Sequence, residues 1–155
     1  MHGVQFESLI DTACTRYMIE GAAYIEKSSE PMKPLKPIKA GQFVAVYTKK
    51  AQPDFKGTLK GGRAVVFEAK HTESTRIEQN RVTDEQAAAL DMHQSLGAAC
   101  FVLVSFRFES FYRVPWTVWS DMPGHFGKKS ANEKDLEPYK LNGILHFLDR
   151  LEATM

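Results

Sequence analysis

The chain of 155 residues suits a single domain that can bury a full core without staples. Hydrophobic residues make up 43% and charged residues 25%, ordinary for a globular protein, and no apolar run reaches the ~18 residues of a membrane span. The net charge of +1 hides an asymmetry: Lys27 to Lys70 carries ten Lys/Arg against Glu30, Asp54 and Glu68, while the remainder is acidic.

In chain order, Val4 to about Ile19 reads as a helix. Phe6, Leu9, Ile10, Ala13, Cys14 and Tyr17 recur at three- and four-residue steps, and Gly21 follows where a stop is expected. Ala22 to Ile25 is a short candidate strand. Lys27 to Gly41 holds Pro31, Pro34 and Pro37 with lysines between them; proline fixes φ and removes a donor, so an extended loop or edge is expected. Gln42 to Thr48 alternates like a strand, Gly61-Gly62 marks a turn, and Arg63 to His71 is rich in β-formers. Thr83 to Leu96 is helical by composition and ends at Gly97, with Thr83 and Gln86 at capping-box spacing. The continuous apolar run Ala99 to Phe106 is expected to lie centrally in a sheet. Phe111 to Val114 is one more candidate strand, and Trp116 to Lys129 is ambiguous. Asn142 to Ala153 reads as an amphipathic helix with Ile144, Leu145, Leu148 and Leu151 on one face. This order predicts a single α/β domain over 1–155, a central mixed β-sheet flanked by helices.

The basic segment can neutralise phosphates, and its binding would then weaken steeply with salt; a solvated lysine-rich loop is the alternative. Cys14 and Cys100 sit inside apolar patterns and are expected as core thiols, too few for a disulfide framework or a zinc motif. The N-terminus lacks a basic region followed by an apolar one, so no secretory signal is expected, and a reducing cytoplasm is implied.

The strongest chemical signal is Pro53-Asp54 followed, fourteen residues after the aspartate, by Glu68-Ala69-Lys70. Strand side chains alternate, so Glu68 and Lys70 project on one face and Phe67 and Ala69 on the other. A glutamate and a lysine on one face of the run Ala64-Val65-Val66-Phe67 do not serve packing, and burying either charge unpaired costs roughly several kcal/mol. Hydrolysis of a phosphodiester uses that set. Asp54 and Glu68 offer hard oxygen ligands for Mg²⁺, and Lys70 can orient a water or stabilise charge developing on the phosphate. A surface Glu–Lys pair and a loop aspartate would give the same pattern.

Context separates the two readings. Glu7 lies within Gly3-Val4-Gln5-Phe6-Glu7 on the first helix. Ile25-Glu26-Lys27 leads into the proline segment, and Asp54-Phe55-Lys56-Gly57, Lys60-Gly61-Gly62-Arg63 and Val66-Phe67-Glu68-Ala69-Lys70 follow. Gln86 and Gly97-Ala98-Ala99-Cys100-Phe101-Val102 complete the series. In this order and spacing the chain resembles the RecU family of Holliday junction resolvases, members of the PD-(D/E)XK nucleases, over roughly Gly3 to Phe106. The resemblance implies a restriction-endonuclease-like core and a homodimer that nicks four-way DNA junctions with Mg²⁺, for which Mn²⁺ can substitute. It implies Asp54, Glu68 and Glu7 as metal ligands, Lys70 as the catalytic lysine and Gln86 as a helix glutamine beside the site. A glutamate near a helix N-terminus is also favoured by the macrodipole, and Gln86 also fits a capping box, so both residues have competing readings. Lys27, Lys33, Lys36, Lys39, Lys49, Lys50, Lys56, Lys60 and Arg63 are the expected phosphate contacts.

Two departures stand out. The proline-lysine segment between Glu30 and Asp54, with the basic Pro/Lys-rich loop or short stalk expected at about 27–41, looks shorter than the family's stalk, and the sequence begins almost at the first motif, without the family's basic N-terminal extension. Those parts contact branched DNA in the family, so cleavage chemistry transfers more directly than junction selectivity. A related endonuclease acting on duplex, flap or single-stranded DNA, and a junction-binding accessory protein without cleavage, are the rival readings. Elsewhere, His2, His71, His93, His125 and His146 form no ligand cluster by spacing, and His71 is expected at the surface. Trp116 and Trp119 are expected as core or dimer contacts, and Lys128-Lys129 as a solvated loop.

Overall fold

The computed structural model describes residues 2–28, 32–47 and 52–151, the side chains of 32–35 and 43–47 excepted. Helix α1 (His2–Ile19) buries Phe6, Ile10, Ala13, Cys14 and Tyr17 of the predicted stripe and leaves its Leu9 exposed. Then come β1 (Ala23–Lys27), β2 (Met32–Lys39), β3 (Gln42–Tyr47), β4 (Phe55–Leu59), β5 (Ala64–Thr72) and β6 (Arg76–Glu78). Helix α2 (Asp84–Ser95), β7 (Ala99–Phe106), β8 (Ser110–Pro115), the one-turn helices α3 (Trp116–Trp119) and α4 (Met122–Phe126), and β9 (Ser130–Asn132) complete the order.

Five strands form the main sheet in the order β1-β4-β5-β7-β8. Only the β5–β7 pair is parallel; α2 lies in the crossover between them, and the other neighbours run antiparallel. The sheet is therefore mixed, as expected. Strand β7 is interior and buried at every position. One face carries α1 and a cluster around Phe6, Ile10, Phe55, Phe67, Phe101 and Phe147. The other carries α2 and a cluster around Val66, Leu90, Cys100, Val102, Trp116 and Trp119. Cys14 and Cys100 are free and buried, and burial pushes the thiols up to about 12 and about 11, so neither is a thiolate at neutral pH. Trp116 and Trp119 are core residues, their indole N–H groups donating to Asp91 and to the Gln79 carbonyl.

Three rings tie the middle of the sheet together. Phe55, Phe67 and Phe101 are directly paired across β4, β5 and β7 and stack at 4.9 and 4.7 Å between centroids. Such contacts add about 0.5–1.5 kcal/mol per pair beyond burial. Gly57 fits the same register: a Cβ there would lie 2.1 Å from the Tyr24 carbonyl oxygen, so only glycine lets β4 approach β1. At the β4–β5 turn, Gly61 and Gly62 both take positive φ.

Strands β4, β6 and β9 form where the sequence reading placed no strand, and two further segments take a form other than the one expected. The segment read as a loop or edge over Lys27 to Gly41 contains β2, which pairs with β3 as a separate two-stranded sheet with register shifts after Pro34 and Pro37. Prolines interrupt that ladder without abolishing it, as edge strands allow. Thr48, the end of the strand expected over Gln42 to Thr48, lies outside the described residues.

The expected helix over Asn142 to Ala153 does not form from Asn142 to Arg150; residues beyond 151 lie outside the described residues. Ile144–His146 is a 3-10 turn and Arg150 has φ +56°. The cause is the buried Arg113 side chain on β8, whose guanidinium donates to the carbonyls of Phe147, Asp149 and Arg150 at 2.7, 2.8 and 3.1 Å. Those carbonyls serve a side chain in place of helix amides. Tyr17 adds its hydroxyl, donating to Asp149 and accepting from the Leu148 amide. Arg113→Met should therefore cost about 3 kcal/mol in urea unfolding, because buried carbonyls lose a charged donor. Amide exchange over 144–151 should rise with it. A loss under about 1 kcal/mol would mean that apolar contacts alone hold the tail.

Candidate active site

The β4–β5 register builds the site. Phe55 faces Phe67, so the residue before Phe55 and the residue after Phe67 lie across from each other: Asp54 and Glu68. The Asp54 amide donates to Glu68 Oε2 at 3.3 Å, and Asp54 Oδ2 accepts from the Ala69 amide at 2.9 Å. Each carboxylate is thus held by the other's strand. Lys70, half-buried on the same face as Glu68, donates from Nζ to Gln86 Oε1 at 3.4 Å. The alternation read from the sequence is therefore realised, with Val66, Glu68 and Lys70 on the α2 side and Phe67 on the α1 side.

Glu68 is the electrostatic centre. It is 0% exposed, and its Oε1 is buried without a hydrogen-bond partner among the described residues. Burial foremost, then the neighbouring Asp54 charge, pushes its carboxyl up to about 9; Lys70 opposes this without cancelling it. A carboxylate oxygen buried with no donor, beside a second carboxylate, is a poor structural element and a good cation ligand. The donor set fits a hard divalent ion: oxygen atoms of Asp54 and Glu68, with Lys70 close enough to lower Glu68 and kept by Gln86.

The remaining expected residues are distributed as follows. Gln86 is at once a capping-box residue and the partner of Lys70: its Oε1 accepts from the Thr83 amide at 3.0 Å and from Lys70, while Thr83 Oγ1 accepts from the Gln86 amide. One side-chain oxygen thus serves both the cap of α2 and the contact with Lys70. Glu7 is paired with Lys27, Oε1 to Nζ at 3.3 Å. Lys27 pairs with Phe55 in the β1–β4 register, next to Asp54, so Glu7 reaches the same end of the sheet. Its carboxylate does not join Asp54 and Glu68 in a tight three-donor set; among the described residues such a set is formed only by His2, His71 and Glu73.

Lys36, Lys39, Lys56, Lys60 and Arg63 are exposed, and Arg63 donates to the Gly97 carbonyl at 3.1 Å. Lys33 lies on β2 with its side chain outside the described ones, and Lys49 and Lys50 lie outside the described residues altogether. His71, expected at the surface, is 8% exposed: its ring fits between Phe108 and His2. Spacing along the chain could not bring His2 beside His71, because sixty-eight intervening residues return only through the fold. Lys128 is paired with Asp135 at 2.8 Å.

A model of the family RecU, Recombination protein U, matches residues 1–152. Among solved structures the chain is similar to Hjc from Archaeoglobus fulgidus, described as a Holliday junction resolvase from an archaeal hyperthermophile. The TM-score is 0.55 at 11% identity, over 91% of each chain, a likeness of fold. No curated protein matches.

The buried Glu68 carboxyl has a thermodynamic consequence. Between pH 4.5 and about 9 the folded state keeps a proton on Glu68 that the unfolded chain has lost, so this residue makes stability fall as pH rises through that window. Glu68→Gln keeps the neutral shape and removes the effect. In EDTA its melting temperature should exceed wild type by an amount that grows across the window, and a divalent cation should narrow the gap by stabilising the wild type alone. A pH-independent difference would mean that Glu68 titrates as an ordinary surface carboxylate.

Proposed function

The chain belongs to the RecU family of Holliday junction resolvases, and on that premise we propose that it cuts four-way DNA junctions by Mg²⁺-dependent hydrolysis at Asp54, Glu68 and Lys70. The observation that carries this reading is the orphaned, fully buried Glu68 Oε1 beside Asp54. Asp54 and Glu68 would hold Mg²⁺, or Mn²⁺ in its place, with Glu7 as a further carboxylate at the same end of the sheet. When bound, the ion supplies positive charge that polarises the scissile phosphate and acidifies water.

The chain's own residues do the rest. The Ala69 amide fixes the Asp54 carboxylate, and the Asp54 amide fixes one oxygen of Glu68, leaving the other free for a ligand. Gln86 contacts the Lys70 ammonium, and that ammonium would orient the attacking water or stabilise charge on the phosphate as it is attacked in line. The products would carry 5′-phosphates. Exposed Lys27, Lys36, Lys39, Lys56, Lys60 and Arg63, with Lys33, Lys49 and Lys50, would contact phosphates, positioning DNA without reading sequence. The β2–β3 hairpin is the short basic stalk of a single nuclease domain in this reading.

A homodimer completes the proposal, because a four-way junction offers two equivalent phosphates to two sites related by a two-fold axis. Cytoplasmic residence is part of it, supported by two unpaired buried thiols and by the absence, among the described residues, of a helix long and apolar enough to cross a membrane.

Labelled four-way junction and linear duplex of the same sequence, incubated with Mg²⁺ or EDTA, test the reading. The wild type should nick the junction, with Mg²⁺ only, in preference to duplex. Asp54→Asn and Glu68→Gln should abolish cleavage while junction binding persists. Lys70→Ala should lose far more rate than affinity, and Lys70→Arg should keep affinity and regain part of the rate, since a planar fork replaces a compact ammonium. Wild-type cleavage by either carboxylate variant would remove the site assignment; preference for duplex would remove the junction.

The hairpin makes a separate prediction. Lys36→Ala with Lys39→Ala should weaken junction binding and reduce the salt slope by up to about two ions, roughly 0.9 per lost phosphate contact. Binding measured across a salt series checks this, and an unchanged slope would put the DNA surface elsewhere.

A further inference from the structure

We propose that His2, His71 and Glu73 form a second metal site, for a transition ion such as Zn²⁺, that clips the start of α1 to the end of β5. One nitrogen from each histidine and one Glu73 oxygen already lie within 4.8 Å of one another. His71 Nε2 is 2.5 Å from Glu73 Oε2, and the His2 ring lies parallel to the His71 ring, 5.3 Å between centroids and 13° between planes. A tetrahedral ion with bonds of about 2.0–2.1 Å needs donors roughly 3.4 Å apart. Rotation of two exposed side chains, His2 moving in and Glu73 moving away from Nε2, brings the three donors to that spacing, while His71 stays fixed.

His71 has the support that metal-bound histidines use. Its side chain is 4% exposed, and its Nδ1 lies 2.9 Å from Ser105 Oγ, a hydroxyl wholly buried on β7 and further fixed by the Phe108 amide at 3.1 Å. With Nδ1–H donating to Ser105, the lone pair of Nε2 points toward Glu73 and His2. A hydroxyl, carbonyl or carboxylate behind the ligating imidazole is the usual device that fixes its tautomer and orientation. The ion would lie between Nε2 and the Glu73 carboxylate, replacing their direct contact.

The ligand chemistry differs from that of the cleavage site. Two imidazoles and one carboxylate favour zinc, nickel or copper over Mg²⁺, whereas Asp54 and Glu68 offer oxygen alone. The two sites also lie on opposite faces of β5: Glu68 projects toward α2, and His71, three residues later, toward α1. Three protein ligands leave a fourth position open to water. A bound ion would tie two elements that otherwise meet here through ring stacking.

Zinc chloride titrated calorimetrically into the full chain, with melting followed with and without zinc, tests the site in wild type, Asp54→Asn, His2→Phe and Glu73→Gln. His2→Phe keeps a ring to stack and removes the ligand nitrogen, and His2 is exposed at the helix start, so the metal-free fold should melt as wild type does. Wild type and Asp54→Asn should share one zinc-binding event and a zinc-dependent rise in Tm. His2→Phe and Glu73→Gln should bind at least about tenfold more weakly and lose the rise. No zinc-dependent rise in the wild type, wild-type zinc affinity in His2→Phe, or loss of the effect in Asp54→Asn alone would overturn the proposal. None of these outcomes depends on whether the chain cleaves junctions.

Discussion

The pairing of Phe55 with Phe67 is the constraint on which the site depends. Those rings, stacked on each other and on Phe101, lock β4 against β5 from the α1 side. On the opposite face the same register sets Asp54 across from Glu68 and lets each backbone hold the other's carboxylate. A slip of one residue would turn every side chain of β4 over, moving Phe55 off its stack. Core packing and site geometry are therefore one requirement.

That requirement explains why an acidic pair can persist inside the sheet. Glu68 is buried with an unpartnered oxygen, and its neighbour Asp54 raises the cost of ionising it. A network left half-satisfied is worse than an apolar core unless something completes it. Here the apolar face behind it supplies the stability: Phe67, Phe101 and Phe147 are all fully buried and in ring contact. The polar face can then carry an unfavourable arrangement that a cation and a phosphate would resolve, as strain at functional sites often requires.

How much was legible in the sequence follows from the range of each interaction. Helix α1, the capping box at Thr83 and Gln86, and strands β5 and β7 are written in local periodicity, and they form where the pattern puts them. The shared face of Glu68 and Lys70 needs only strand alternation. Asp54 against Glu68 was legible as a motif resembling a family, not as geometry, because Phe55-Lys56-Gly57-Thr58-Leu59 is too short and polar to announce β4. The C-terminal segment misled for a clearer reason. Ile144, Leu145, Leu148 and Leu151 have helical spacing, yet Arg113, more than thirty residues earlier, takes the carbonyls a helix would use. His2 and His71 were equally invisible, since only the fold brings residue 2 to the end of β5.

Gln86 shows how the local and the long-range levels meet. Its side-chain oxygen completes the cap of α2 and also receives the Lys70 ammonium from β5. The start of α2 and the position of Lys70 are thus coupled through one atom. A cap on its own would be satisfied by glutamate as well, since the capping box accepts either residue. A glutamate here would set a third carboxyl group near Lys70, in a site where Asp54 already drives Glu68 upward, and would bind the ammonium more tightly as an ion pair. The neutral amide instead holds Lys70 without adding a further charge beside it. The choice of glutamine at this position is therefore explained by the lysine as much as by the helix.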